Sequence, residues 1–296
     1  MLSARRVRRG LRKRMLRRTR PGRELGRETY AGLVDYHIHT PLCGHARGEP
    51  ERYVSEAIRK GFGEIGFADH MPMLRIRDEH LTMRPEQLPV YVETIRDLQE
   101  SVDELTIRLG IEMDYFPGQM DEIWEAAAPH SFDYVYGSVH YLDGWDFGDS
   151  RDLSRYKDAD HDVMYRHYFE LFCRAAEEGG FDIMAHPDLV KKHGVTTDLP
   201  LAPMYEAAAD ALARADVAIE VNSSGLRQQA VELYPTLEFL SACVSRGVAV
   251  TLGSDAHSPE QVGMDFDLSL EHLRRAGVTE IATFAARKRT MRPLPG

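Results

Sequence analysis

Seven short apolar runs recur along the chain after residue 31, and amphipathic stretches lie between several of them. Each run is rich in β-branched or aromatic residues, which predicts a β-strand. The runs cover 32–36, 64–68, 107–113, 134–139, 182–185, 218–221 and 248–252. Short strands that alternate with helices predict an α/β fold with a parallel sheet and right-handed crossovers.

The spacing of apolar residues also predicts helices over 52–60, 164–178 and 235–246. The first stops before Gly61, a residue suited to the position after a helix, and the third begins with Pro235 and ends before Gly247. Neither a repeat of fixed period nor a linker interrupts 31–296. Seven strands with intervening helices therefore predict a closed or nearly closed barrel, formed by one domain over 31–296.

The first 30 residues differ from the rest in charge. They contain twelve Lys/Arg and two Asp/Glu, whereas residues 31–296 carry a net charge of −20. This composition favours a disordered extension over 1–30. The alternatives are a basic arm for nucleic acid or an anionic membrane, and a transit peptide, although serine is scarce there.

The acidic body limits the classes of partner. A net charge of −20 disfavours a broad nucleic-acid surface, so nucleic acid is not expected except through the basic N-terminus. One small phosphorylated substrate remains compatible with this charge, because bound metal ions reverse the local sign of the field.

Cysteine usage and hydropathy bear on the compartment. Cys43, Cys173 and Cys243 are odd in number and far apart, which disfavours a disulfide framework. No apolar run approaches the length of a membrane span. We therefore expect a cytoplasmic protein without a membrane partner, and the sequence does not determine its oligomeric state.

Histidine or a carboxylate follows nearly every predicted strand. The carboxyl ends of parallel barrel strands share one rim, where active sites form, so we expect these side chains to converge there. They are Asp35, His37, His39, His45, Asp69, His70, Glu112, Asp114, His140, His186, Asp188, Glu220, Asn222, Asp255 and His257. A single histidine at a strand end is more often a hydrogen-bonded structural residue, but the repeated placement favours a metal site.

The residue types indicate which metals suit such a site. His-x-His at 37–39 and Asp-x-His at 255–257 each place two side chains on the same side of a strand. Imidazole and carboxylate together suit zinc, manganese or iron rather than calcium. The candidate ligands outnumber those of one tetrahedral ion, so two or three ions that share bridging carboxylates are predicted.

Seven motifs carry a resemblance to a known family. They are HIHTPLCGHA at 37–46, FADH at 67–70, IEMDY at 111–115, GSVHYLDGW at 137–145, AHPDLVKKHG at 185–194, EVNSSGLR at 220–227 and GSDAH at 253–257. With these motifs, over roughly 33–293, the sequence resembles the PHP superfamily of metal-dependent phosphoesterases. The segments AHPDLVKK, NSSGLR and SVHYLDGW resemble its monofunctional histidinol-phosphate phosphatases.

The resemblance implies a distorted seven-stranded (β/α) barrel of the TIM-like type and a set of metal ligands. The implied ligands are His37, His39, His45, His70, Glu112, His140, His186, Asp255 and His257. In this scheme Glu112 bridges two metals. The ligands divide into His37, His39 and Asp255 at one site, His45, His70 and His257 at a second, and His140 with His186 at a third.

The implied chemistry is hydrolysis by water. A water that bridges the metals, held by Glu112 and Asp255, would lose its proton near neutral pH and attack phosphorus in line. No serine or cysteine nucleophile is needed. Cys43 lies beside His45, but we expect neither a nucleophile nor a thiolate ligand there, because no base is evident and the motif already supplies the ligands.

Fixed cations are expected to hold the phosphate. Arg227 is the first candidate, because its planar guanidinium matches phosphate geometry. Lys191 and Lys192 are further candidates, with a solvated loop as the alternative. The leaving group of histidinol phosphate would carry an amine and an imidazole ring. Side chains that could contact them lie in the loop 141–152: Asp143, Trp145, Asp146 and Asp149. The alternative is that these acidic residues are only solvated.

The predicted function is hydrolysis of a small phosphate monoester, and the resemblance implies histidinol phosphate as the substrate, in histidine biosynthesis. A PHP phosphoesterase acting on another monoester or a nucleotide is one alternative. A metal-binding module without turnover is another, and it is disfavoured because every ligand position of the motifs is filled.

Overall fold

The structure, a computed structural model, describes residues 30–75, 80–151 and 153–295. Its strands are β1 Val34–Ile38, β2 Glu64–Phe67, β3 Thr106–Asp114, β4 Tyr134–Ser138, β5 Tyr141–Leu142, β6 Trp145–Asp146, β7 Ile183–Met184, β8 Ala218–Asn222, β9 Val250–Gly253, β10 Glu280–Ala285 and β11 Lys288–Pro293. One sheet contains seven of them in the order β1-β2-β3-β4-β7-β8-β9, and the pairs β1–β2, β2–β3, β4–β7 and β7–β8 are parallel. A strand overlaps each of the seven predicted runs.

The segment that follows β9 pairs with β1. The Ala256 N–H donates to the His37 carbonyl oxygen at 3.0 Å, and the His39 N–H donates to the Ala256 carbonyl oxygen at 2.9 Å. These bonds form a parallel bridge between Ile38 and Ala256. The strand order and this bridge confirm the prediction of an α/β barrel with seven strands.

Helices connect the strands. Among the described residues they are α1 Pro50–Lys60, α2 Leu88–Ser101, α3 Met120–Ala127, α4 His161–Glu178, α5 Ala202–Ala215, α6 Leu237–Ser245 and α7 Phe266–Arg275. The three predicted helices are confirmed as α1, α4 and α6, with shifted starts. α4 begins earlier than predicted because the Asp160 carboxylate accepts the Val163 N–H at 3.1 Å. α6 begins after Pro235 because the Thr236 side chain caps it.

Two hairpins are not predicted by the apolar pattern. β5 pairs with β6 inside the loop 141–152, and β10 pairs with β11 near the C-terminus; both pairs are antiparallel. The first hairpin turns at Asp143 and Gly144, whose φ angles are 49° and 76°. Asp-Gly is the dipeptide that a two-residue hairpin turn prefers, so this signal was present in the sequence.

The chain divides into two compact units. Unit 1 comprises the described residues up to Ile111, Gly253–Met264 and the residues from Leu294, and unit 2 comprises Glu112–Leu252 and Asp265–Pro293. The domain prediction for 31–296 stays a prediction. The extension predicted over 1–30 falls, apart from Tyr30, outside the described residues.

Aromatic rings form much of the helix packing in unit 2. The Tyr205 ring of α5 stacks on Phe239 of α6 at 5.0 Å between centroids. Phe169 and Phe172 of α4 each lie 5.8 Å from Phe239. Burial of each such ring stabilises the fold by about 1.5–3 kcal/mol. In the part of the chain that the structure describes, no helix is both long enough and apolar enough to span a lipid bilayer.

Candidate metal centre

Two buried histidines stand at the end of β1 in unit 1. His37 and His39 are each 0 % exposed, and their ring centroids lie 5.0 Å apart. They share one side of the chain because strand side chains alternate. Asp255, in the segment after β9, approaches both: its Oδ1 lies 3.2 Å from His39 Nε2 and 4.0 Å from His37 Nε2. Unit 1 therefore brings together the three ligands predicted for one metal.

Three further histidines meet in unit 1. Ring nitrogens of His45, His70 and His257 lie within 4.8 Å of one another. They come from three places in the chain: the turn after β1, the residues just beyond β2, and the segment after β9. The His257 ring also stacks on His39 at 4.1 Å and on His45 at 4.5 Å between centroids. This trio matches the ligand set predicted for a second metal.

The hydrogen bonds of His45 and His257 leave one nitrogen of each ring available for a metal. His45 Nδ1 lies 3.0 Å from the Cys43 carbonyl oxygen, and His257 Nδ1 lies 3.0 Å from that of Asp255. With Nδ1–H donating to a carbonyl, Nε2 of each ring is the nitrogen that can bind a metal. His257 Nε2 is buried and has no hydrogen-bond partner within the described ranges. A bound cation would satisfy this nitrogen, so the residues present fit a divalent ion.

Two buried carboxylates of unit 1, Asp35 and Asp69, form hydrogen bonds with groups next to the predicted ligands. Asp35 accepts from the N–H and the hydroxyl of Ser254 at 2.8 and 2.6 Å, and so ties β1 to the segment after β9. Asp69 accepts from the N–H and the hydroxyl of Thr40, and its Oδ1 lies 3.4 Å from His39 Nδ1. Burial raises the pKa of Asp35, although its hydrogen-bond donors oppose that shift. The sequence placed both acids at strand ends but did not indicate whether each binds a metal or only forms hydrogen bonds near the predicted ligands.

Charges within unit 1 shift the protonation of the predicted ligands. Burial disfavours a charged His39, but the Asp255 and Asp69 carboxylates outweigh burial and raise its pKa to about 9. Burial and the neighbouring His39 lower the pKa of His257. Burial also opposes an ionised Asp255, yet His37, His39 and His257 hold the pKa of its carboxyl well below the usual range. An ionised Asp255 and a neutral His257 are the forms that bind a metal, whereas His39 has to release its proton when it binds one.

Glu112, near the end of β3, is the centre of a group in unit 2. It is 1 % exposed, and its Oε1 accepts the Ser138 hydroxyl at 2.5 Å. The same oxygen lies 2.9 Å from His186 Nε2 and 3.8 Å from His140 Nε2. Unit 2 thus brings together the three predicted ligands that it contains. Ser138 was not singled out from the sequence, although it lies at the end of β4 in the GSVH motif.

Carboxylates of unit 2 form hydrogen bonds with His140 and His186. His140 Nδ1 lies 2.8 Å from Asp114 Oδ1, whereas Glu220 Oε2 accepts the backbone N–H of His186 at 2.7 Å. Burial disfavours a charged His140, but Asp114 and Glu112 outweigh burial and raise its pKa to about 9. A carboxylate behind an imidazole fixes the ring and makes it a stronger metal ligand. The sequence signal for Asp114 is its position two residues after Glu112, on the same side of β3.

The predicted phosphate-binding residues all fall in unit 2 and differ in their surroundings. Arg227 is half-buried and ends the 3-10 helix Ser223–Arg227 that follows β8. Lys192 Nζ donates to the Gly148 carbonyl oxygen at 2.5 Å. Lys191 is only 8 % exposed and lies within 3.2 Å of two carboxylates, so the alternative of a solvated loop is wrong for this lysine.

The acidic residues predicted to meet an amine and an imidazole have partners inside the chain. Asp143 Oδ2 lies 3.4 Å from His167 Nδ1, and Asp149 Oδ2 lies 2.8 Å from an Arg151 guanidinium nitrogen. Asp146 accepts the N–H of Asp149 at 3.0 Å. Beside them, the Trp145 ring lies 4.8 Å from the guanidinium of Arg155. A role for these four side chains toward the substrate stays a prediction.

Cys43 is buried beside the histidines of unit 1. Its Sγ accepts the Ala46 N–H at 3.2 Å and lies within 4.8 Å of nitrogens of His39 and His257. Burial raises the pKa of the thiol, which keeps it protonated. We expect Cys43→Ser to retain kcat/KM within about tenfold, because the serine oxygen can accept the same hydrogen bond and one neutral hydrogen bond contributes only about 0.5–1.5 kcal/mol. Phosphate release and zinc content check this, and near-complete loss of either would give Cys43 a chemical role.

Comparison with known proteins decides the family. A model of the PHP domain matches residues 35–224. The chain belongs to the PHP domain family. This PHP chain is 39 % identical to a Deinococcus radiodurans protein named “Probable histidinol-phosphatase” over 258 residues, which are 87 % of the chain and 98 % of the relative. It is 26 % identical to the “Histidinol-phosphatase” of Bacillus subtilis over 273 residues, covering 80 % and 98 % of the two proteins.

Solved structures confirm the fold of the PHP chain. A crystal structure of histidinol phosphate phosphatase from Lactococcus lactis, complexed with zinc, L-histidinol and phosphate, is similar with a TM-score of 0.76 at 25 % identity. The similarity covers 88 % of this chain and 99 % of that one. A structure from Listeria monocytogenes, 20 % identical, shows the same fold with a TM-score of 0.72.

Proposed function

We propose that this PHP chain hydrolyses L-histidinol phosphate to L-histidinol and phosphate, a step in histidine biosynthesis. The observation that carries the proposal is the similarity, over 88 % of the chain, to a phosphatase complexed with zinc, L-histidinol and phosphate. The names of the relatives from Deinococcus radiodurans and Bacillus subtilis support the same substrate.

Two or three divalent ions of zinc, manganese or iron are the proposed cofactors. The proposed ligands are His37, His39, His45, His70, Asp255 and His257 in unit 1, and Glu112, His140 and His186 in unit 2. Such ions supply Lewis-acid stabilisation of phosphoryl oxygens and activate water near neutral pH. The exposed His45 and the half-exposed His70 give solvent and substrate access to the trio in unit 1. The roles of Glu112 and Asp255 toward the attacking water stay predictions.

A simple panel distinguishes this function from its alternatives. Phosphate release is measured from histidinol phosphate, p-nitrophenyl phosphate and mononucleotides, after chelation and again after manganese or zinc is added back. We expect the highest kcat/KM with histidinol phosphate and recovery only when metal is restored. A higher kcat/KM with a mononucleotide would identify another phosphoesterase, and release from none of them would identify a metal-binding module.

Arg227 is proposed to hold the substrate phosphate. A charge-assisted hydrogen bond contributes about 1.5–3 kcal/mol, so Arg227→Ala is expected to raise KM for histidinol phosphate about 10- to 100-fold. Steady-state kinetics measure this, with Arg96→Ala on an exposed position of α2 as the matched control. If KM and kcat of the Arg227 variant equalled those of the native chain, the residue would have no part in phosphate binding.

A reducing, cytoplasmic location is part of the proposal. Cys43, Cys173 and Cys243 all carry free thiols, as is usual in the cytosol. Fractionation of the native organism's cells, with detection by an antibody against this chain, tests the location. Enrichment outside the cytosolic fraction would contradict it.

A further inference from the structure

Lys191 is a buried lysine close in sequence to the predicted metal ligand His186. It ends a short 3-10 helix after β7, and 8 % of it is exposed. Its Nζ lies 3.2 Å from Asp188 Oδ2, 3.1 Å from Glu232 Oε2 and 3.0 Å from the Leu233 carbonyl oxygen. The contacts to Asp188 and to the Leu233 carbonyl oxygen are hydrogen bonds, and the more exposed Glu232 carboxylate adds an ion pair. The ammonium is therefore already held by protein groups, and its charge is balanced by two carboxylates, which disfavours a further contact with a phosphate.

Asp188 fixes the other end of this ion pair. It is 2 % exposed, and the oxygen that faces Lys191 also accepts the Thr236 N–H at 2.8 Å. The carboxylate thus links the turn after β7 to the residue that caps α6. The Lys191 ammonium also lies 5.4 Å from the centroid of the Tyr234 ring. Movement of Lys191 would leave the Asp188 carboxylate buried without its cation, which favours one arrangement of the pair.

The turn that carries His186 has an unfavourable backbone. The φ angles of His186 and Asp188, on either side of Pro187, are +24° and +60°. Residues other than glycine rarely adopt such angles, and they persist only where surrounding contacts over-determine them. The His186 N–H donates to Glu220 at 2.7 Å on one side of the turn, and the Lys191–Asp188 pair holds the other side.

We propose that Lys191 and Asp188 are positioning residues for His186 and do not contact the substrate. The pair holds the strained turn from which His186 presents Nε2 at 2.9 Å from Glu112 Oε1. It thereby sets the affinity of unit 2 for a divalent metal held by His186 and Glu112. The inference rests on the metal-binding role proposed for these two residues, and it replaces the phosphate contact predicted for Lys191.

Lys191→Met tests this role, because methionine keeps much of the apolar stem and removes the donors. We expect the metal-stripped variant to bind zinc about 10- to 100-fold more weakly at its weakest site, as is typical when a group behind a ligand is lost. At saturating zinc, KM for histidinol phosphate should stay within about twofold. Lys191→Arg keeps the charge and should recover most of the zinc affinity. Lys288→Met, at an exposed position of β11, is the matched control.

Zinc affinity is measured by competition with a chelator, and KM separately by phosphate release. A KM raised about tenfold or more at native zinc affinity would make Lys191 a phosphate contact and overturn the inference. Native values of both quantities would also overturn it. Chelator competition needs no substrate, so a chain that failed to hydrolyse histidinol phosphate would still show whether Lys191 governs metal affinity.

A second variant covers the case in which Lys191→Met does not fold because Asp188 becomes a lone buried charge. Asp188→Asn combined with Lys191→Met removes both charges and keeps an oxygen that can accept the Thr236 N–H. We expect this double variant to fold, by circular dichroism, and to bind zinc about 10- to 100-fold more weakly than the native chain. Native zinc affinity would overturn the inference, and failure to fold would do so too, because the pair would then serve the fold as a whole.

Discussion

His257→Asn should lower kcat/KM for histidinol phosphate by about 10²- to 10³-fold, the loss that follows removal of one group that stabilises a transition state. His257 Nε2 is buried and has no hydrogen-bond partner in the described part of the chain. A nitrogen of the His257 ring lies within 4.8 Å of ring nitrogens of His45 and His70. Asparagine keeps a side-chain N–H near the position of Nδ1, so the bond to the Asp255 carbonyl oxygen can persist. The substitution therefore removes the proposed metal ligand with little other change.

Steady-state kinetics and zinc content per chain measure this effect together. His80→Asn, at an exposed position, should behave as the native chain does. Thermal unfolding should show that the His257 variant is folded. Native kcat/KM and native zinc content in a folded variant would rule out His257 as a ligand, whereas lost activity at native zinc content would give it a role toward the substrate instead.

Glu112→Gln should have the second large effect, a fall in kcat of at least about 10²-fold. Its Oε1 is faced by His186 Nε2 at 2.9 Å, by His140 Nε2 at 3.8 Å and by the Ser138 hydroxyl at 2.5 Å. Glutamine has almost the same shape but no negative charge, and one of its two terminal atoms is an N–H₂ donor that cannot bind a cation. A ligand role for Glu112 predicts that zinc binding weakens by at least about tenfold as well.

The matched control for this substitution is Glu271→Gln, at an exposed position of α7. Zinc affinity by chelator competition and kcat by phosphate release are compared for the two variants. Zinc binding as tight as in the native chain would refute a ligand role for Glu112, even if kcat fell. A folded Glu112 variant with native kcat would refute any role for its charge in the reaction.

Local patterns in the sequence determined the strands and the placement of the histidines. Apolar runs predicted the seven strands of the sheet because strand preference and alternation depend on adjacent residues. His-x-His after the first run and Asp-x-His after the last placed His37, His39, Asp255 and His257 at strand ends for the same reason. The motifs around them resembled the PHP superfamily, and the match of the PHP domain model to 35–224 confirms that family.

Helix starts and hairpins followed less directly from the sequence. Capping by Asp160 and Thr236 sets where α4 and α6 begin, and these side-chain bonds override the apolar spacing of the sequence. The β5–β6 hairpin depends on left-handed backbone at Asp143 and Gly144, which an apolar pattern does not report. The signal for this hairpin lies in the dipeptide Asp143-Gly144 itself.

Only the tertiary structure decided which partners the strand-end acids and Lys191 have. Asp35 meets Ser254, which is 219 positions away in the sequence, and Lys191 meets Leu233, which is 42 positions away. Whether an acid can bind a metal, or a lysine a phosphate, depends on how many of its lone pairs or N–H groups such distant partners already use. Burial then decides how strongly each pair is held, and sequence spacing reports neither the partners nor the burial.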